Sequence, residues 1–168
     1  MSENLASIAE KVLRLANDFD LTIVVAESCT AGLLCQTLSE APGAAERFHG
    51  GFVTYTKEHK TQALGVPSRL LQEKGAVSRE VARAMAEGAL LHSTADLAVA
   101  ITGVAGPEPD DDGNPVGLTC FAVARRGRPM YDFEHRYGNI GRTAVQQRAV
   151  ADALTALAEA AARRAVEA

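Results

Sequence analysis

The sequence predicts an α/β fold, a single-domain layered sandwich over residues 1–168 with a mixed sheet flanked by helices. Three observations carry that reading. Short β-branched apolar runs alternate with stretches of helical periodicity. The run at residues 97–101 is apolar throughout, as in a strand covered on both faces. Two late strand-like runs flank a tight turn, which adds an antiparallel hairpin to an otherwise parallel pattern.

Taken in order, Leu5, Ile8, Val12, Leu15 and Phe19 recur at helical spacing and predict an amphipathic first helix. Residues 22–26, Thr-Ile-Val-Val-Ala, predict a buried strand. A second helix follows from Leu33 until Pro42-Gly43 stops it. Gly50-Gly51 leads into a second strand at 52–55. Residues 57–64 predict a helix ended by Gly65 and Pro67, and 68–74 a short one closed by Gly75. Ser78 is the expected N-cap of a helix carrying Val81, Met85 and Leu91. After the third strand, a Gly/Pro/Asp-rich loop spans 103–115. Strands at 118–124 and 130–137 enclose Arg-Arg-Gly-Arg-Pro, whose arginines are expected to be a solvated hairpin turn. From Thr143 one alanine-rich helix is expected to run to the C-terminus.

Composition narrows the function. Net charge is -4, there is no Trp, and aromatic residues make up 5%, which argues against a nucleic-acid partner. No apolar run is long enough to span a membrane, so no membrane partner is expected. Three cysteines, an odd number without a C-x-x-C pair, suggest reduced thiols in the cytoplasm. A long alanine-rich helix and few aromatics leave a modest single-chain core, which points towards a homo-oligomer.

Three segments carry candidate chemistry. Glu27-Ser28-Cys29-Thr30-Ala31-Gly32 joins a strand end to a helix start, where ligands collect in open α/β sheets and unpaired N–H groups gather. A nucleophile placed there would have oxyanion donors beside it, with Cys29 a rival to Ser28; otherwise Ser28 or Thr30 is a plain N-cap. In Tyr55-Thr56-Lys57-Glu58-His59-Lys60 the two lysines lie about one turn apart. Either is a base for a serine only if burial brings its pKa from about 10.4 towards 7, and otherwise both are surface lysines. Thr102-Gly103-Val104-Ala105-Gly106-Pro107 is a glycine loop matching neither a P-loop nor a dinucleotide fingerprint. The Asp110-Asp111-Asp112 run after it is expected to be solvated. The four histidines show no zinc spacing.

These segments in this order resemble the CinA C-terminal-domain family. The matching stretches are 26–32, 50–55 with Lys60, 75–78, 102–107 and 115–117, each short but distinctive as an ordered set. The resemblance implies hydrolysis of the carboxamide of nicotinamide mononucleotide to nicotinate mononucleotide and ammonia, an activity of stand-alone members, with a small-molecule nucleotide as partner and no metal or cofactor. By motif position it implies Ser28 as nucleophile, Lys60 as general base and Tyr55 hydrogen-bonded within this dyad. Backbone N–H groups around Thr30, Ala31 and Gly32 would receive the oxyanion, Thr102, Gly103 and Gly106 would line the pocket, and Arg142 would meet a phosphate. Ala31, Glu108, Pro109 and Gln146 depart from the family pattern, the first for a glycine, the next two for glycine-rich sequence and the last for a second basic residue. Two alternatives stay open: a catalytically silent nucleotide-binding or regulatory domain, and an amidase for another small amide.

Overall fold

The computed structural model describes residues 4–163. In chain order the elements are α1 (Leu5–Asp18), β1 (Ile23–Glu27), α2 (Leu33–Ser39), α3 (Ala44–Arg47), β2 (Phe48–Val53), α4 (Lys57–Leu64), α5 (Ser68–Lys74), α6 (Arg79–Leu91), β3 (Leu97–Gly103), β4 (Leu118–Arg125), β5 (Tyr131–Arg136) and α7 (Arg142–Ala162). The strands form one sheet in the order β2-β1-β3-β4-β5. β1 pairs parallel with both β2 and β3, whereas β3–β4 and β4–β5 are antiparallel. This is the predicted layered sandwich with a mixed sheet.

Side-chain alternation along the strands builds two cores. Ile23 and Val25 of β1 with Leu97, Val99 and Ile101 of β3 face α1 and α7. Val24 and Ala26 with Ala98 and Ala100 face α6 and the short α4 and α5. The α6 side of the sheet is rich in alanine, and α6 answers with Ala82, Ala86 and Ala89. Small residues on both surfaces let the helix lie close to the strands, and that cluster is filled by alanine rather than aromatics.

Several boundaries differ from the sequence expectation. The first helix starts at Leu5, with the Asn4 side chain accepting from the Ala6 N–H at 3.1 Å, and residues 1–3 lie outside the described residues. Its buried stripe runs through Ile8, Ala9, Val12, Leu13 and Ala16, while Phe19 sits beyond the helix and is exposed. β2 begins at Phe48, four positions before the expected 52, and contains Gly50-Gly51 rather than following them. The reason is packing: a Cβ at Gly51 would overlap the Cys35 sulfur on α2. Leu91, expected on the buried face of α6, is exposed. Ser78 caps α6 as expected, accepting from Val81 N–H at 3.1 Å.

The hairpin arginines are not simply solvated. Arg126 donates to the carbonyls of Leu90, Ser93 and Ala95, and Arg125 to that of Ala160. They tie the C-terminal ends of α6 and α7 to the hairpin, where unpaired carbonyls favour a cation. α7 ends at Ala162, and the expected continuation beyond Arg163 lies outside the described residues.

Candidate active site

Ser28 follows the last residue of β1, and two backbone bonds fix its position from either side. Its own N–H donates to the Ile101 carbonyl of β3 at 3.0 Å, and the Thr54 N–H donates to the Glu27 carbonyl at 2.8 Å. The nucleophile candidate therefore sits at the carboxyl end of the central parallel strands, where α/β sheets place ligands. Lys60 reaches it from α4. Thr56 starts that helix by accepting the His59 N–H at 3.1 Å, and the first turn then points Lys60 inward.

Lys60 is fully buried. Its Nζ lies 2.7 Å from Ser28 Oγ, 2.8 Å from the Thr54 carbonyl and 3.4 Å from the Tyr55 carbonyl. Among the described residues no carboxylate pairs with it. Burial without a counter-charge pushes the ammonium down from 10.5 to about 8. The three neighbours also match a neutral amine. Two N–H groups donate to two carbonyls, and the lone pair is left to accept the Ser28 hydroxyl proton. Lys57 has the opposite fate: exposed, and 2.7 Å from Asp112 in an ion pair.

A cavity of about 230 Å³ opens at this point. It is lined by Ser28, Lys60, Thr102, Gly103, Gly106 and Arg142, which the sequence named. Ala76, Val77, Glu108 and Asp110 also line it. The Thr102 hydroxyl donates to the Ala76 carbonyl at 2.7 Å, joining β3 to the turn before α6. Gly103 has no room for a side chain, since a Cβ would lie 2.7 Å from Thr119 Oγ1 and 3.1 Å from Cys29 Sγ. Cys29 shares the wall, but burial pushes its thiol up to about 12, which removes it as a thiolate nucleophile near neutral pH.

Three expectations are corrected here. Thr30, Ala31 and Gly32 do not line the cavity. The Thr30 hydroxyl donates to Glu27 Oε1 at 2.6 Å, and neither Ser28 nor Thr30 caps α2, whose N-cap is Gly32. The phenol of Tyr55 is not part of the Ser28–Lys60 pair. It is more than half exposed and accepts Arg142 Nη2 at 3.2 Å, and only the Tyr55 carbonyl reaches Lys60. The acidic run is not simply solvated either. Asp110 accepts from the N–H groups of Asp112 and Asn114 and from the Asn114 side chain, and Asp112 accepts from Lys57 and the Ala76 N–H.

Other participants carried weaker signals in the sequence. Glu27 is fully buried, and besides Thr30 it accepts the N–H groups of Leu34 and Cys35, both at 2.9 Å. A carboxylate thus occupies the N-terminus of α2 and holds the turn that carries Ser28. Its position directly after an apolar strand, inside a Ser/Cys/Thr turn, was the available signal. Gln146 donates from α7 to the Cys29 carbonyl at 2.8 Å, bracing the same turn from the other side. Arg142 donates through Nη1 to the Gly106 carbonyl at 2.8 Å as well as to Tyr55, so it bridges two walls of the cavity.

The CinA C-terminal domain matches residues 5–161 of this chain. A CinA-like protein of Geobacter sulfurreducens is 48% identical over 120 residues, which is 71% of this chain and 29% of that protein. A CinA-like protein of a Synechococcus strain is 45% identical over 153 residues, 90% of this chain and 36% of that protein. The chain thus spans about a third of the length of these relatives. The competence/damage inducible protein CihA of Agrobacterium tumefaciens superposes with a TM-score of 0.90 at 39% identity, covering 97% of this chain and 100% of that one. A CinA superfamily protein of Klebsiella pneumoniae gives a TM-score of 0.91 at 34% identity over 95% of this chain and 99% of that one. In sequence and in fold alike, the chain belongs to the CinA C-terminal domain family.

Proposed function

We propose that this chain is an amidohydrolase that opens the carboxamide of a pyridine nucleotide, with nicotinamide mononucleotide as the substrate the family resemblance implies. The observation that carries the reading is the buried Lys60 amine, 2.7 Å from Ser28 Oγ and without a carboxylate partner among the described residues. Neutral Lys60 takes the Ser28 proton as Oγ attacks the amide carbon. The N–H groups of Cys29 and Thr30 donate to no backbone carbonyl among the described residues and are the candidates for the oxyanion, so of the three positions expected for it only Thr30 keeps the role, through its backbone, while its hydroxyl is turned onto Glu27. Collapse of the tetrahedral species breaks the C–N bond, and the Lys60 ammonium returns its proton to the leaving nitrogen, releasing ammonia. Water then attacks the acyl ester with Lys60 again as base, giving the carboxylate and free Ser28.

Purified protein should release ammonia from nicotinamide mononucleotide, with nicotinamide and nicotinamide riboside assayed beside it. Ser28→Ala and Lys60→Ala should each lower kcat by several orders of magnitude while circular dichroism stays unchanged. Absence of ammonia from all three amides would overturn the reading. So would a Ser28→Ala protein with wild-type turnover.

A further inference from the structure

The turn that carries Ser28 is anchored one peptide at a time. Ser28 and Ala31 close it, the Ala31 N–H donating to the Ser28 carbonyl at 3.0 Å. Cys29 and Thr30 are its two central residues, and their N–H groups are the oxyanion candidates. Each of those N–H groups shares a peptide plane with the carbonyl of the residue before it. In a trans peptide the N–H and the C=O point in opposite directions, so a bond that fixes the carbonyl aims the N–H. The plane of the Cys29 N–H is fixed by the turn itself, through the Ser28 carbonyl. The plane of the Thr30 N–H is fixed from elsewhere in the chain. Gln146 Nε2 donates to the Cys29 carbonyl at 2.8 Å and is the only donor to it among the described residues.

Gln146 is firmly mounted. It stands on the second turn of α7, beside Val145, which is fully buried in the core. It does not line the cavity. The other bonds at this turn hold its ends rather than the Cys29–Thr30 plane. The Ser28 N–H goes to Ile101, while the Thr30 hydroxyl and the N–H groups of Leu34 and Cys35 go to Glu27. Without the Gln146 amide that plane can swing, and the Thr30 N–H loses its aim. A hydrogen bond on the carbonyl also polarises the peptide, which makes its N–H a stronger donor.

We propose that Gln146 is a positioning residue for amide hydrolysis. From α7 its side-chain amide aims the Thr30 N–H at the oxyanion that forms when Ser28 Oγ attacks the carboxamide. This rests on the amidohydrolase reading and adds to it a residue outside both the cavity wall and the Ser28–Lys60 pair.

The test reads kcat and KM separately. Ammonia release from nicotinamide mononucleotide is measured at about pH 9, where Lys60 is mostly neutral, and along the acid limb. Removing one oxyanion donor costs about 10²–10³-fold in kcat, so mis-aiming one in Gln146→Ala should cost about tenfold or more. KM should stay within about twofold, as for an interaction made only in the transition state. The inflection of the acid limb should not move in Gln146→Ala, because Lys60 keeps its contacts with Ser28 and Thr54. Gln146→Glu is isosteric but lacks the donor, and its kcat should fall at least as far. Arg carries its Nε–H as many bonds from the backbone as Gln carries Nε2, so Gln146→Arg should recover kcat to within about threefold of wild type. Gln147→Ala, an exposed neighbour on the same helix, is the control and should match wild type. Circular dichroism and urea midpoints check that each variant is folded.

Unchanged kcat in Gln146→Ala or Gln146→Glu overturns the proposal. So does a loss that falls on KM, a displaced inflection in Gln146→Ala, or no recovery in Gln146→Arg. Wild-type protein that releases no ammonia from the nucleotide overturns the amidohydrolase reading and this proposal with it, whereas wild-type release beside any of the other failures overturns the proposal alone.

Discussion

Lowering the pH below about 8 should switch this protein off, and the size of the effect follows from one buried amine. Lys60 works as a base only when neutral, and burial holds its pKa at about 8. The neutral fraction is then about one in ten at pH 7 and about one in a hundred at pH 6. The acid limb of kcat/KM should fall about tenfold per pH unit, with its inflection near 8. Stability carries the same signature. Because the folded pKa lies below the unfolded value of 10.5, the unfolded chain binds more protons between about 8 and 10.5. The cost of the shift, about 3 kcal/mol, is fully present below pH 8 and relieved as pH rises through that window. Lys60→Met lacks this linkage. The stability of the wild type relative to Lys60→Met should therefore rise by about 3 kcal/mol from pH 7 to 10.5, whatever its value at neutral pH. The Cys35 and Cys120 thiols, raised by burial, act oppositely but equally in both proteins and cancel in the difference; Cys29, whose titration is coupled to Lys60, is replaced by Ala in both. Urea unfolding at several pH values, beside the ammonia-release profile, measures both. A flat acid limb together with a pH-independent stability difference would refute Lys60 as a depressed, buried base.

Three other outcomes are expected. Ala31 sits at φ +52°, so Ala31→Gly should stabilise the fold by about 0.5–1 kcal/mol, read as a higher urea midpoint; a lower midpoint would deny strain at this turn. The Thr54 hydroxyl is buried without a partner among the described residues, and Lys60 uses only the Thr54 carbonyl, so Thr54→Val should gain about 1 kcal/mol and keep its activity. With its thiol held up at about 12, Cys29→Ala should retain turnover within about fivefold, and iodoacetamide near pH 8 should inactivate slowly; loss as deep as that of Ser28→Ala would reassign the nucleophile.

Local patterns in the sequence located most of the scaffold. β3 was visible as an unbroken apolar run because both its faces are covered, and α6 because Ser78 caps it. The start of β2 is illegible because His-Gly-Gly has little strand propensity; Gly51 is there to make room for the Cys35 sulfur, a constraint from another element. In the candidate site, Ser28 and Lys60 follow from the motifs, but their 2.7 Å approach joins residues 32 positions apart. The motif resemblance implies Tyr55 in the pair, whereas its phenol is turned to Arg142, 87 residues away. Glu27 and Gln146 were hidden for a similar reason. One satisfies N–H groups a helical turn and more downstream, and the other reaches a carbonyl 117 residues back. Periodicity reports faces and termini, not partners across the fold.

The parallel pairing of β1 with β2 acts as a ruler for proton transfer. Glu27 lies opposite Val53, the Thr54 N–H continues the ladder onto the Glu27 carbonyl, and α4 starts three residues later. The hydroxyl leaves one strand and the amine hangs from the helix after its neighbour, so their separation is metered by interstrand register. Slippage by one residue would displace the amine by about 3.3 Å, beyond reach of its hydroxyl. The irregular step between Ile23 and Val24, at the far end of the same pair, is where that register is offset. Residues along Phe48–Val53 thus bear on chemistry at a distance, through the backbone alone.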